Sequence, residues 1–269
     1  MPPSMVKRLA LDAIDQTDAT DETPRFVSHF PADRRHVFGG LLIAQALRAA
    51  RLTVPAGRSV HSLHASFVTA GAPEQHLHHT VERTRDGGSF ATRRVVVHQD
   101  HGVVLVLTAD FHDDEVGVEY SIPATPGVPG PDGLPPGRYA SRWFHSCDVP
   151  PEAVPDRPPF ARHAWFRPTA PLPDDPDLHL QALAYLSDHG PTRAAREPHL
   201  HLADDAKRMS VSLDHSVWFH RPVDVNEWLL YELLPVATGR GRGLSIGTIR
   251  TQDGVLAATI AQEVLLRTR

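Results

Sequence analysis

A single cysteine, Cys147, leaves this chain of 269 residues without an intramolecular disulfide framework, and it fits a reducing compartment. Basic charge is not in excess either. With 27 Lys and Arg against 32 Asp and Glu, the net charge is −5, which lacks the footprint of a dedicated nucleic-acid binder. An anionic small molecule would have to be met by local arginines. No apolar run approaches the ~18 residues of a membrane-spanning helix. The basic start of the chain is followed by Asp12, Asp15, Asp18 and Asp21 rather than by an apolar segment, so no secretory signal is legible. A soluble cytoplasmic protein is the expectation.

What the chain does have is 41% hydrophobic residues, enough for a proper core, and prolines that are unevenly spread. Residues 6–14 carry a faint helical pattern, and Phe26 to Phe30 a short strand. Leu41 to Leu52 is almost wholly helix-forming and apolar nearly all round, as expected of a helix buried on most faces. Gly39 and Gly40 ahead of it permit close backbone approach, either to a strand or to an anion at the helix N-terminus. Four strand-like runs follow, at about 59–69, 75–84, 89–99 and 103–112, separated by Gly71-Ala72-Pro73, Asp86-Gly87-Gly88 and Asp100-His101-Gly102. Residues 123–159 hold eleven of the 25 prolines and read as an extended linker.

Beyond the linker the pattern returns. A second helix is expected from Asp177 to Asp188, N-capped by an Asp and broken by Gly190-Pro191. Strands are expected at Ser212 to Pro222 and Asn226 to Tyr231, and Gln252-Asp253-Gly254 has hairpin-turn chemistry ahead of a last strand. Gln45-Ala46-Leu47 recurs at Gln181-Ala182-Leu183. Gly102 to Asp110 has its counterpart at Gly254 to Gln262, an offset of 254 − 102 = 152 that matches Asp110 to Gln262. The halves read as diverged copies of one fold. The helix offset is only 181 − 45 = 136, so the second copy has about 16 more residues after its helix. These fall at Gly190 to Arg208, a natural place for a substrate-facing lid.

Five segments carry a specific resemblance: S-L-D-H-S-V-W-F-H-R-P from Ser212, N-E-W-L-L-Y from Asn226, T-Q-D-G-V-L-A from Thr251, Phe38-Gly39-Gly40, and Arg85-Asp86-Gly87-Gly88-Ser89-Phe90. Their wording and order, from about Val37 to Arg267, resemble the acyl-CoA thioesterase II (TesB-type) family. The resemblance implies an α+β double hotdog, two tandem units in which an antiparallel sheet wraps a central helix. The expected division is residues 1–122, a Pro-rich linker at 123–159, and residues 160–269. It also implies a homo-oligomer, since such a fold leaves sheet faces or edges to cover.

Thioester hydrolysis needs a held water, a proton acceptor and donors for the oxyanion. By the resemblance, Asp188 at the end of the second helix, Ser212 two residues before Asp214-His215, and Gln262 on the last strand hold the water, with Asp188 as base. An Asp at a helix C-terminus opposes the helix dipole, and closure by apolar sheet is expected to raise its pKa. No G-x-S-x-G elbow surrounds Ser212, so taken alone it reads as an ordinary polar strand residue. Gln262 interrupts an apolar run and can donate and accept; a buried Gln satisfied by backbone is the plainer reading. Asp214 and His215 are adjacent on a strand and point to opposite faces, which argues against a dyad and leaves His215 structural.

No cofactor and no metal are expected. His76, His78, His79, His199 and His201 alternate as exposed histidines do without converging on an ion. Leu41 stands where the family often has Gln after Phe-Gly-Gly, which bears on acyl preference. Arg83, Arg85, Arg240 and Arg242 are candidates for the phosphates of coenzyme A, although solvated surface charge explains any one of them. Two other classes stay open. A non-catalytic acyl-CoA-binding module needs only the tunnel, and a hotdog hydratase or dehydratase is disfavoured because Asp33 to His36 lacks the Asp-x-x-x-x-His spacing.

Overall fold

Helix and strand alternate much as the apolar periodicity directs. The computed structural model describes residues 4–14, 23–28, 36–201 and 208–268. In chain order the first half runs α1 (Met5–Leu9), β1 (Asp12–Ala13), β2 (Arg25–Ser28), α2 (Gly39–Arg51), β3 (Arg58–Phe67), β4 (Leu77–Asp86), β5 (Phe90–Gln99) and β6 (Gly102–Asp113). The second half runs β7 (Phe144–Val149), β8 (Arg162–Pro168), α3 (Pro176–Ser187), α4 (Pro191–Arg196), β9 (Arg208–Ser212), β10 (Asp214–Phe219), β11 (Leu229–Gly239), β12 (Arg242–Thr251) and β13 (Leu256–Thr268). Contacts divide the chain into two units, Met1–Gly117 with Leu180–Leu186, and Val118–His179 with Ser187–Arg269.

In the first unit the antiparallel strands lie in the order β1-β2-β4-β5-β6-β3. Their inward residues, among them Val95, Val97, Leu105, Leu107, Ala109 and Phe111, are fully buried, and α2 lies against these strands. Of the two glycines before the buried run, Gly40 is explained by helix packing. A Cβ on Gly40 would collide with the carbonyl oxygen of Tyr185 and the ring of Phe38, whose rings meet edge to face at 5.1 Å. The N-terminal helix stops at Leu9, short of the expected residue 14, because Asp12 and Ala13 pair with Val27 and Phe26. Phe30 and Asp33 lie outside the described residues.

In the second unit the order is β10-β13-β12-β11-β8-β7, with β9 also on β13. The strand after the helix thus pairs with the last strand, and the strand before the helix with the second, in both units: β3 with β6 and β2 with β4, β10 with β13 and β8 with β11. Asp175 caps α3, its carboxylate accepting the N–H groups of Asp177 (3.0 Å) and Leu178 (3.3 Å). The strand expected at Asn226 begins instead at Leu229. Asn226 sits in a turn, its N–H on Asp224 and its side chain gripping the backbone of Leu172.

The proline-rich stretch is not wholly irregular. Its proline-free part, 137–149, ends in β7, which pairs with β8. Trp165 donates its indole N–H to Pro129 at 2.9 Å and joins a cluster with Val149, Val154 and Leu230, flanked by Val128 and Leu134.

Strand register corrects one expected correspondence. Seven residues (98–104) separate the paired Val97 and Leu105, whereas eight (250–257) separate the paired Ile249 and Ala258. The extra residue shifts the last strand by one. Gln262, paired with Ser245, therefore corresponds to Ala109, paired with Arg93, and not to Asp110. Asp110 lies on the opposite face, where Thr92 donates to it at 2.5 Å.

Candidate active site

At Ser187, the last residue of α3, a chain of hydrogen bonds begins that runs through strands of the second unit. Tyr231 on β11 donates its hydroxyl to the Ser187 carbonyl at 2.5 Å. The Ser187 hydroxyl lies 2.7 Å from His215 Nε2, and His215 Nδ1 lies 2.5 Å from Gln262 Oε1. Gln262 Nε2 donates to Ser212 Oγ at 2.7 Å and to Thr192 Oγ1 at 3.2 Å; those two hydroxyl oxygens are 3.4 Å apart. Period-2 alternation explains how the residues meet: His215, Val217 and Phe219 of β10 point inward, as do Ile260, Gln262 and Val264 of β13. Ser212 enters at the end of β9, where Leu213 donates its N–H to the Glu263 carbonyl.

The directions of these bonds can be worked out. With the Gln262 amide nitrogen placed toward the two hydroxyls, its oxygen faces His215 and accepts from Nδ1. Burial lowers the His215 pKa to about 4, with its hydrogen bond to Gln262 opposing, so the ring is neutral at pH 7. Nε2 then accepts from Ser187. The order is Ser187 to His215 to Gln262, ending on Ser212 and Thr192, each of which receives an amide N–H and which share a long hydrogen bond of 3.4 Å that either can donate.

Asp188 follows Ser187 directly and is 9% exposed. Burial raises the pKa of Tyr231 well above that of a free phenol, and the neighbouring Asp188 and Tyr139 raise it further. Of the three residues singled out from the sequence, Ser212 and Gln262 are in direct contact. Asp188 joins them through the backbone of Ser187.

His215, expected to be structural, is fully buried and holds the Gln262 amide by a hydrogen bond. Asp214 does point away, as strand alternation requires, accepting the Glu263 N–H at 2.6 Å. Its pKa is raised by burial, partly offset by that bond. Thr192 was missed because it lies in the stretch with no counterpart in the first copy. Also missed was Gly243-Leu244-Ser245-Ile246-Gly247, which matches the G-x-S-x-G pattern. It lies within β12 rather than on a strand-to-helix elbow. Ser245 is buried and donates to the Pro191 carbonyl at 3.0 Å. A Cβ on Gly243 would lie 3.2 Å from that of Ala195, so the pattern seats α4 on the sheet.

Of the phosphate candidates, Arg242 is paired with Glu263 at 2.8 Å, Arg85 lies over the Phe90 ring, and Arg240 takes φ 51° in the β11–β12 turn. Leu41 is fully buried in α2. His78 stacks on His98, His199 bonds Thr238, and His79 is buried. Among the described residues no group of three or more His, Cys, Asp or Glu is placed to hold a metal ion, and no helix is long and apolar enough to cross a membrane.

Comparison with known proteins gives two matching family models, "Acyl-CoA thioesterase" over residues 150–265 and "Acyl-CoA thioesterase N-terminal domain" over residues 27–112. The chain is 32% identical to acyl-coenzyme A thioesterase 8 of Homo sapiens, covering 100% of this chain and 92% of that one. It is 31% identical to acyl-CoA thioesterase 2 of Haemophilus influenzae, covering 87% and 88%. Among solved structures it is similar to the acyl-CoA thioesterase II TesB2 of Mycobacterium marinum, with TM-score 0.87, 35% identity and 99% of each chain covered. A hot dog fold protein of Alicyclobacillus acidocaldarius shares the fold at 21% identity, TM-score 0.78.

Proposed function

The chain belongs to the acyl-CoA thioesterase II (TesB-type) family and is a thioester hydrolase, and on that premise we propose that it cleaves fatty acyl-CoA by direct attack of a water held by Asp188, Ser212 and Gln262. The observation that carries this reading is the buried chain of hydrogen bonds ending on the Ser212 hydroxyl. Asp188 takes a proton from water as the water oxygen attacks the thioester carbonyl carbon. Ser212 donates to the oxyanion that forms, and Gln262, held by neutral His215, keeps the Ser212 proton directed outward. Collapse breaks the C–S bond, the Asp188 proton passes to sulfur, and the products are a free carboxylic acid and coenzyme A. No covalent enzyme intermediate and no metal take part.

The same reading makes the chain two tandem hotdog units, 1–122 and 160–269, joined by 123–159, and places it in the cytoplasm as a homo-oligomer. The repeated strand order of the two sheets supports the tandem arrangement.

The test is thiol release from a panel of acyl-CoAs without added metal, for the parent and for Asp188→Asn. Saturable release is expected from at least one acyl-CoA. Loss of the base is expected to cost ~10²–10⁴-fold in turnover. A folded Asp188→Asn variant with near-parent turnover would remove Asp188 from the mechanism, and activity that chelator abolishes and zinc restores would remove the metal-free route.

A further inference from the structure

Resting on the hydrolysis just described, we propose that Thr192 is a fourth group of the reaction site, a second hydroxyl that donates to the thioester oxyanion alongside Ser212. The Gln262 amide nitrogen has two protons, and it gives one to each hydroxyl, at 2.7 Å to Ser212 and 3.2 Å to Thr192. With its oxygen lone pair already receiving an N–H, the Thr192 hydroxyl has its own proton to give to a third atom. Ser212 is in the same position, 3.4 Å away. The hydrogen bond between the two hydroxyls is long, so an oxygen that gains charge beside them can take the place of its acceptor and receive both protons, and two hydroxyls held side by side by one amide then form a donor pair.

The surroundings of Thr192 fit a held side chain rather than a chance neighbour. α4, which carries it, is seated three ways on the second unit. Ser245 donates to the Pro191 carbonyl at 3.0 Å, Gly243 leaves room for Ala195, and Glu197, just past the helix, pairs with Arg162 at 2.7 Å. The first copy has no such segment. The residues corresponding to His215 and Gln262 there are Leu63 and Ala109, both fully buried and apolar. The amide and the segment that brings Thr192 to it thus occur in the same copy.

The experiment measures kcat and KM on one acyl-CoA for the parent, Thr192→Val, Thr192→Ala, Thr192→Ser, Ser212→Ala and the double variant Ser212→Ala/Thr192→Val, with circular dichroism on each. Thr192→Val keeps the shape and removes the hydroxyl. Its kcat is expected to fall about tenfold or more, less than the ~10²–10³ lost when a lone oxyanion donor is removed, with KM within a few-fold. Thr192→Ser is expected to stay near the parent, and the double variant to lose a different amount from the product of the single losses, because the two hydroxyls share one amide and one oxygen. Thr192→Ala replaces Thr192→Val if the latter misfolds. Parent-like kcat in a folded Thr192→Val or Thr192→Ala, a Thr192→Ser as weak as Thr192→Val, or strictly multiplicative losses would each overturn the role of Thr192 while leaving thioester hydrolysis standing. A parent inactive on every acyl-CoA would overturn both.

Discussion

Two buried imidazoles of this chain behave alike toward protons and differ in what they touch. His215 is lowered to about 4 and His79 to about 3, burial being the main cause in both. His215 spends both nitrogens on hydrogen bonds, whereas neither nitrogen of His79 has a hydrogen-bond partner among the described residues. A histidine whose folded pKa lies below its ordinary 6.5 is protonated first in the unfolded chain, so stability is complete above about 6.5 and is lost as pH falls toward 4. His79→Leu, which removes an unsatisfied buried group, is expected to raise Tm at pH 5 by more than at pH 8. An equal Tm gain over the parent at both pH values would show that His79 does not titrate on unfolding in this window. Gln262→Glu acts at the same scale. It puts an acceptor where two N–H donors stood, turns the Ser212 and Thr192 protons inward, and adds a charge near Asp188. Activity should fall by at least tenfold, within the range for a lost oxyanion donor of ~10²–10³, and the pH–rate profile should shift. Asp110→Asn, on the outer face, should leave kcat/KM within a few-fold. The reverse pattern would move the working site to the first copy.

At the scale of elements, the short segment after α3 is where geometry is most constrained. Gly190 has φ +108° and is followed by the first residue of α4; a Cβ there would lie 2.7 Å from Leu233 Cδ1 and 3.3 Å from Tyr139 Oη. Gly190→Ala should therefore lower both Tm and turnover, through strain two residues from Asp188, and a variant with parent-like Tm would mean the backbone there relaxes freely. Sequence had marked the helix-ending Gly190-Pro191 and the inserted residues after it, because both are local facts of composition and length. It could not place Thr192, whose partners Ser212 and Gln262 are 20 and 70 residues away. The helices and long strands were legible because burial imposes their periods of 3.6 and 2. The misassignment of Asp110 has a different origin. A repeated Gly-Val pattern aligns the two last strands by residue type, but the longer second hairpin shifts them by one, and a shift of one in a strand changes the face. The partners of His215 were not legible for a related reason: alternation separates it from Asp214 but does not say which residue waits on the other side.

For the whole molecule, the segment that opens the second unit is held by charge. Arg250, 2% exposed at its side chain, pairs with Glu232 at 2.9 Å and donates to the carbonyls of Ile122 and Pro123, while Glu232 also accepts from Thr248 and from the N–H of Thr125. Burial would raise the Glu232 pKa, but hydrogen bonds from His163, Thr125, Thr248 and Arg250 outweigh it and bring it to about 2. A carboxylate depressed in the fold stabilises above its ordinary value near 4.5, and that contribution is lost as pH falls from there toward 2. Glu232→Gln leaves Arg250 buried without its counter-charge, which costs about 3–5 kcal/mol when a buried pair is broken. Its Tm at pH 7 should drop, and its stability should change less than the parent's between pH 4.5 and 2. An unchanged acid limb would assign the acid sensitivity to other groups.

The two halves also differ in what they can do, and that difference can be counted. In the second unit the inward residues His215, Gln262 and Ser212 form one hydrogen-bonded set. At the corresponding places in the first unit stand Leu63, Ala109 and Val60, all buried and none able to hold a water. The two units therefore share a strand order, and this hydrogen-bonded set stands in the second. The expected stoichiometry is one reacting thioester per chain. A thioether analogue of acyl-CoA, in which the carbonyl is replaced by a methylene so that water has nothing to attack, should bind by calorimetry with one site per chain, and Asp188→Asn should retain that binding because the base is not needed to hold the analogue. Two equivalent sites per chain would mean that the first unit binds substrate on its own and that its apolar residues serve a second pocket. A stoichiometry of one half would mean that two chains complete each site, and the second unit would no longer suffice by itself.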